Sequence, residues 1–242
     1  MVESKQVWFD YTLTANDERN LAAFKRDKKI KKITRDGVEM HQKQAELTYV
    51  NDIPELIRRI RAARGLTEDM GLCWKMDDGK KSLKLMVQVL DRNQATPCST
   101  NTIMMVAEVP NIQESFQSVH TILKIVKWNQ YISNTDSNHT TFDNKMFAYL
   151  TSIATGNARH PSPLCDWSSA DPDESCNLRT TETMREYFEK FKQGNVEPKD
   201  CGGLKWKPVW AVWKNIDSGN LVLTVDQLHA NLGLVNGLYK GC

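Results

Sequence analysis

Ten cations stand close together in the amino-terminal quarter of the chain. Lys25, Arg26, Lys28, Lys29, Lys31, Lys32 and Arg35 form one run, and Arg58, Arg59 and Arg61 follow, with Arg64 behind them. Side chains of this length reach phosphate oxygens from a helix or a loop. A dense row of them draws a nucleic-acid backbone through an attraction that is independent of base sequence and weakened by salt. The competing explanation for any such run is a solvated face that only keeps the protein in solution. Trp8, Phe9, Tyr49 and Trp74 lie near these cations in sequence. They are candidate stacking surfaces for the bases of a single strand, although burial in a core is the commoner use of such side chains.

A second basic and aromatic patch lies near the carboxy terminus, where Lys205, Lys207 and Lys214 are interspersed with Trp206, Trp210 and Trp213. Tryptophan is a frequent anchor of protein interfaces, so this patch is a candidate subunit or base contact. Read as a strand over 209–213, the segment places Trp206 and Trp210 on one face and Trp213 on the other. Packing within a sheet is the competing use of at least two of the three.

Catalytic readings rest on less. Cys73-Trp74, followed by His120, His139 or His160, has the residue order of some papain-like cysteine proteases, in which a base generates the thiolate. Asp200-Cys201-Gly202-Gly203 resembles the nucleophile turn of chymotrypsin-like viral cysteine proteases, except that Lys199 stands where that turn has Gly. The helices expected upstream argue against the double β-barrel of that family. His160, Cys165, Asp166, Asp171, Asp173, Glu174 and Cys176 share one long segment, but their spacing fits no zinc or calcium template. GxGxxG, GxxxxGK[ST] and HExxH are all missing from the sequence. No cofactor and no metal are expected.

Composition sets the frame for these residues. The chain has 242 residues and a net charge of +2, enough length for a sizeable core without staples. Residues 1–92 hold 19 Lys and Arg against 15 Asp and Glu, and the remainder holds 13 against 15, so the excess is a patch within the first half. Six scattered cysteines form no CxxC pair, which fits reduced thiols. No apolar stretch has the length of a membrane span, and the first 30 residues are too polar for a signal peptide. The expected location is intracellular, in cytoplasm or nucleus, or within a virion. Asn138-His139-Thr140 spells a glycosylation sequon that this location would leave unused.

The elements that must position these residues follow from periodicity. Alternation predicts strands over 7–13, 83–90, 102–109, 209–213 and 221–225, the second and third paired as a hairpin with a long connection and the last two as a hairpin around 215–220. Helical spacing predicts a helix after Thr14, another opened by Asp52 with Glu55 and closed by Gly65, and a third after Pro110 through Ile112, Phe116, Val119, Leu123 and Val126. Two more cover 142–153 and 184–191, and a short one opens at Thr224. The basic run 25–35 is left as the charged end of the first helix or a loop. Residues 156–180 are rich in Pro, Ser, Asp and Asn and too long for an ordinary connection. They are expected to be a functional loop or a segment ordered by a partner.

The sequence therefore predicts a single α+β domain over 1–242, with short antiparallel strands and four or five amphipathic helices packed on them. The function it points to is a non-enzymatic nucleic-acid-binding protein acting in many copies, such as a viral nucleocapsid or coat-type subunit. Single-stranded RNA is the expected polymer. The alternative is a self-assembling scaffold without a nucleic-acid role, and a third reading is a cysteine hydrolase using Cys73 or Cys201.

Overall fold

The computed structural model describes residues 1–11, 13, 18–19, 28–35, 38–67, 71–77, 79, 82–90, 103–132, 138–142, 144–153, 158–162, 164–171, 176–194, 196–217 and 221–225. It is an α+β structure that divides into two compact units, residues 1–70 with 74–128, and residues 71–73 with 129–242. The sequence had offered no boundary at which to divide it.

The first unit contains β1 (Val2–Tyr11), β2 (Ile30–Arg35), β3 (Val38–Val50), α1 (Ile53–Arg64), β5 (Ser82–Val89), β6 (Ile103–Pro110) and α2 (Phe116–Ile125), together with most of β4 (Leu72–Asp77). Its strands run in the order β1-β3-β6-β5-β4, and β2 joins on β3. β1, β2 and β6 are all antiparallel to β3, and β5 and β6 form the expected antiparallel pair. In β5, Leu83, Leu85, Val87 and Val89 are at most 1% exposed, as their alternation predicts. Phe9, Leu47, Ile53, Val109, Val119 and Ile122 are buried with them. Trp74 and Trp128 meet edge to face with ring centres 6.0 Å apart.

Local chemistry explains the helix ends. Asp52 accepts the Glu55 N–H at 3.0 Å, and Gly65 at φ +64° lets the chain turn out of α1, as the sequence predicts. α2 starts later than its apolar periodicity suggests, because Ser115 caps it by accepting the Ser118 N–H at 3.1 Å.

The second unit contains β7 (Asn138–Phe142), α4 (Asn144–Thr151), α5 (Thr181–Lys192), a 3-10 turn (Pro198–Asp200), α6 (Trp210–Asp217) and β8 (Leu221–Val225), while α3 (Trp128–Ile132) begins at the boundary. Ile153, Met184, Cys201, Leu204 and Trp213 form its buried cluster. β7 and β8 pair in parallel. Thr180 and Thr183 cap α5 reciprocally, each side chain bonding the other's backbone N–H, at 3.2 and 3.0 Å.

Three sequence readings change. Residues 209–213 are not a strand, and no hairpin surrounds 215–220. Trp210–Asp217 is a helix, because a short apolar run has no period long enough to separate the two states. Ile30–Arg35 is neither a helix end nor a loop but a strand, held by pairing with β3. Thr224 and Val225 belong to β8 and not to a final helix. Glu18 and Arg19 are helical, but the rest of the helix expected after Thr14 lies outside the described residues, as does everything beyond 225.

Candidate functional site

β3 pairs with β1 and β2 together at residues 41–43, so register decides where each cation of the basic run points. Lys31 and Arg35 share one face with Trp8, Asp10, Gln42 and Gln44, while Lys32 lies on the opposite face with Tyr11, His41 and Lys43. A row that is continuous in sequence is therefore split in two. On the first face the Lys31 ammonium sits 4.1 Å from the centre of the Trp8 ring. Arg35 donates to both carboxylate oxygens of Asp10 at 2.8 and 3.3 Å, and Gln42 Nε2 donates to Asp10 Oδ1 at 2.9 Å. Farther along, the Ser4 and Thr48 hydroxyls share a 3.1 Å hydrogen bond, and Gln6 and Glu46 are exposed. This face carries mostly polar side chains, with Ile33 and Met40 among them and one indole near its middle.

On the opposite face Lys32 pairs with Glu39 at 2.5 Å, and Lys43 stands over Tyr11 at 5.0 Å. Phe9 lies on this face and is 1% exposed. Beside it a cleft of about 330 Å³ is lined by Asp10, Tyr11, Glu39, His41, Glu114 and Ser115, among others. The carboxylates of Glu39 and Glu114 in that lining make it a poor seat for phosphate.

Of the remaining predicted cations, those on α1 do not extend the patch. Lys28 and Lys29 are exposed in the turn before β2, and Lys25 and Arg26 lie outside the described residues. α1 follows the far end of β3 from β2. There Arg58 and Arg59 both bond Glu55, at 2.6 and 2.7 Å, and these hydrogen bonds lower the Glu55 carboxyl to about 2. Arg61 is half-buried on the same helix. Among the expected stacking residues, Trp74 is fully buried and Tyr49 donates its hydroxyl to Glu3 at 2.8 Å. Trp8 and Tyr49 are both half-buried, and of the two Trp8 has a lysine over its ring.

In the second unit one of the three tryptophans is core and the other two are half-buried. Trp213 is 1% exposed and its indole N–H donates to the Thr151 carbonyl at 3.3 Å, so it is a core residue. Trp206 meets Tyr149 and Trp210 meets Phe188, both edge to face, at 5.7 and 5.6 Å. Cys201 is 0% exposed, and burial, then the Asp200 charge, pushes its thiol up, which disfavours the thiolate a nucleophile needs. Gly202 and Gly203 have φ +59° and +84°, packed against the Tyr187 ring and the His160 carbonyl. Their role in the Cys201 turn is close packing. His160 directs Nδ1 to the Asp166 carbonyl at 3.0 Å. Cys73 is buried in β4.

The feature that sequence reasoning missed is Arg179. It is 4% exposed, and its Nε donates to the carbonyls of Ser162 and Cys165 at 3.1 and 2.9 Å. Those bonds, the bridge between Cys165 and Leu178, and Asp166 accepting the Asn177 N–H at 2.6 Å order the described part of the long loop from within. A lone arginine in a polar stretch carries no signal of burial in the sequence. Among the described residues no cluster of three or more His, Cys, Asp or Glu is placed to hold a metal, and no helix is long and apolar enough to cross a membrane.

Fold and site together define an α+β protein whose first unit presents a polar sheet face with lysines at its edge. The chain belongs to the family described as Domain of unknown function (DUF8703), whose model matches residues 27–199. That span begins just before β2 and ends in the 3-10 turn, so β1 with Trp8 precedes it. No curated protein matches the chain significantly.

Proposed function

We propose that the polar face of β1, β3 and β2 binds single-stranded nucleic acid, with RNA as the polymer, in a non-enzymatic protein that works in many copies as a nucleocapsid or coat-type subunit does. The observation that carries this reading is Trp8, half-buried among Gln42, Gln44 and Asp10 with Lys31 above its ring. A base stacks on the indole once the lysine swings aside. The exposed contact costs about 0.5–1 kcal/mol to break, and the freed ammonium is then near the phosphate of the same nucleotide. Amides and hydroxyls on the face offer donors and acceptors to base edges. Lys28 and Lys29 continue the positive edge beyond β2.

Fluorescence anisotropy with a labelled single-stranded RNA, measured across salt concentrations, tests this. Trp8→Ala is expected to weaken binding about tenfold at every salt concentration, the worth of one stacked base. Replacing Lys28, Lys29 and Lys31 by Gln is expected to reduce the salt slope by about 2. Arg58→Gln with Arg59→Gln is expected to change neither. Wild-type protein that fails to bind RNA in low salt ends the proposal.

One observation favours the scaffold reading instead: β1, ten residues long, is the last strand of the sheet order on its side. An edge strand of that length offers backbone groups to another copy. Light scattering before and after nuclease separates the two, since an assembly indifferent to nuclease supports the scaffold.

A further inference from the structure

The loop ordered by Arg179 also brings two cysteines together. Cys165 is half-buried and Cys176 exposed; both are free thiols, and the register of the loop's antiparallel contact sets them diagonally on one face. They flank a short antiparallel contact in which Cys165 faces Leu178, the Asp166 N–H donates to the Asn177 carbonyl at 3.0 Å, and the Arg179 N–H donates to the Leu164 carbonyl at 2.9 Å. The pair is thus set by backbone pairing.

The surroundings of the two thiols differ. Cys165 Sγ lies 3.3 Å from the Ser162 hydroxyl, which also accepts the Cys165 N–H at 3.2 Å. Arg179 Nη2 is buried with no hydrogen-bond acceptor, and among the described residues no carboxylate forms an ion pair with this guanidinium. A buried guanidinium with a donor to spare favours a further anion beside it in addition to the Asp166 charge, and a thiolate at Cys165 is such an anion. Burial alone pushes the Cys165 thiol up. The Ser162 hydroxyl, the Trp167 N–H, Cys176 and the Arg179 charge outweigh that and hold it below its ordinary range. The hydrogen bond to Cys165, burial, and the charges of Cys165 and Asp166 raise Cys176.

We propose that Cys165 and Cys176 are a reversible dithiol–disulfide site, with Cys165 as the attacking thiolate, Cys176 as the resolving thiol, and a low-molecular-weight disulfide of the glutathione class as oxidant. Cys165 Sγ attacks one sulfur of the glutathione disulfide, forming a mixed disulfide and expelling one glutathione thiolate. The Cys176 thiol gives up its proton and attacks the Cys165 sulfur, forming the internal bond and expelling the second glutathione. Two electrons pass from the protein dithiol to the glutathione disulfide, and the two protein protons end on the two glutathione thiols. Oxidation removes the thiolate from beside Arg179, so the redox state bears on how this loop is held.

The test is incubation of the full-length protein with oxidised glutathione, alkylation of the remaining thiols, and peptide mass spectrometry. The expected result is simultaneous loss of alkylation at Cys165 and Cys176, with one peptide cross-link between them that dithiothreitol reverses. Cys176→Ser is expected to stop with glutathione on Cys165. Cys165→Ser is expected to slow modification of Cys176 about tenfold or more, since the thiolate-forming partner is gone. Glutathione that accumulates on Cys176 in wild type without an internal bond overturns the proposal. So does a Cys176 rate unchanged by Cys165→Ser, or a cross-link that runs to Cys98 or Cys242 instead.

Discussion

The two units hold their positive charge in opposite ways. In the first, cations crowded in sequence are dispersed in space: Lys31 and Arg35 face one side of a ribbon, Lys32 faces the other, and Arg58 and Arg59 share Glu55 at the far end of β3. In the second, Arg179 is withdrawn almost wholly from solvent and organises the loop around it. A surface cation in water gains little from a single partner, whereas a buried guanidinium must find oxygens for its donors or remain costly. Charge density along a chain is therefore a poor guide to where charge has structural consequence.

Mutations at the two kinds of cation test this contrast directly. Arg179→Met is expected to cost about 3 kcal/mol in urea unfolding, because the carbonyls of Ser162 and Cys165 lose charged donors in a buried site. Arg179→Lys should recover only part of that, since an ammonium lacks the planar fork. A loss below half a kcal/mol would place Arg179 among the surface cations. Asp10→Ala removes the acceptor of Arg35 and Gln42, from a side chain only 9% exposed, and about 1.5 kcal/mol is expected by the same measurement. Lys31→Gln is expected to cost about 0.5–1 kcal/mol, the worth of an exposed cation over an indole.

The smallest effect concerns pH. Glu55, lowered to about 2 by Arg58 and Arg59, is ionised in the folded protein well below the ordinary carboxylate value of 4.5. What the pairs contribute is fully present above that ordinary value, declines as pH falls below it and is gone once pH has passed below about 2. Carboxyl NMR titration should show Glu55 ionised at pH 3. A midpoint near 4.5 would mean that the two arginines swing free and remain available to phosphate.

The legible parts of the fold were those with a complete local signal. β5 alternates cleanly over Leu83 to Val89, and α1 carries its own start at Asp52 and its own stop at Gly65. β3 was missed although it is the longest strand, because Glu39, His41, Lys43 and Glu46 break its apolar alternation. Its strand state is imposed by β1 and β2 on either side. The candidate site was half legible: the cations and Trp8 were visible as residue types, but not the register that separates Lys31 from Lys32. Arg179 was not legible at all, since its partners are backbone carbonyls, which every residue carries.

What the sequence determined by itself was the mixed class, the capped helices and the apolar strands, because those depend on neighbours three or four positions away or on simple alternation. Tertiary structure alone decided which face each cation occupies, that Trp213 is core, and that Cys165 meets Cys176 beside a buried guanidinium. Each of these depends on strand register or on chain segments brought together from a distance, and a one-residue slip in register moves every side chain of a strand to its other face.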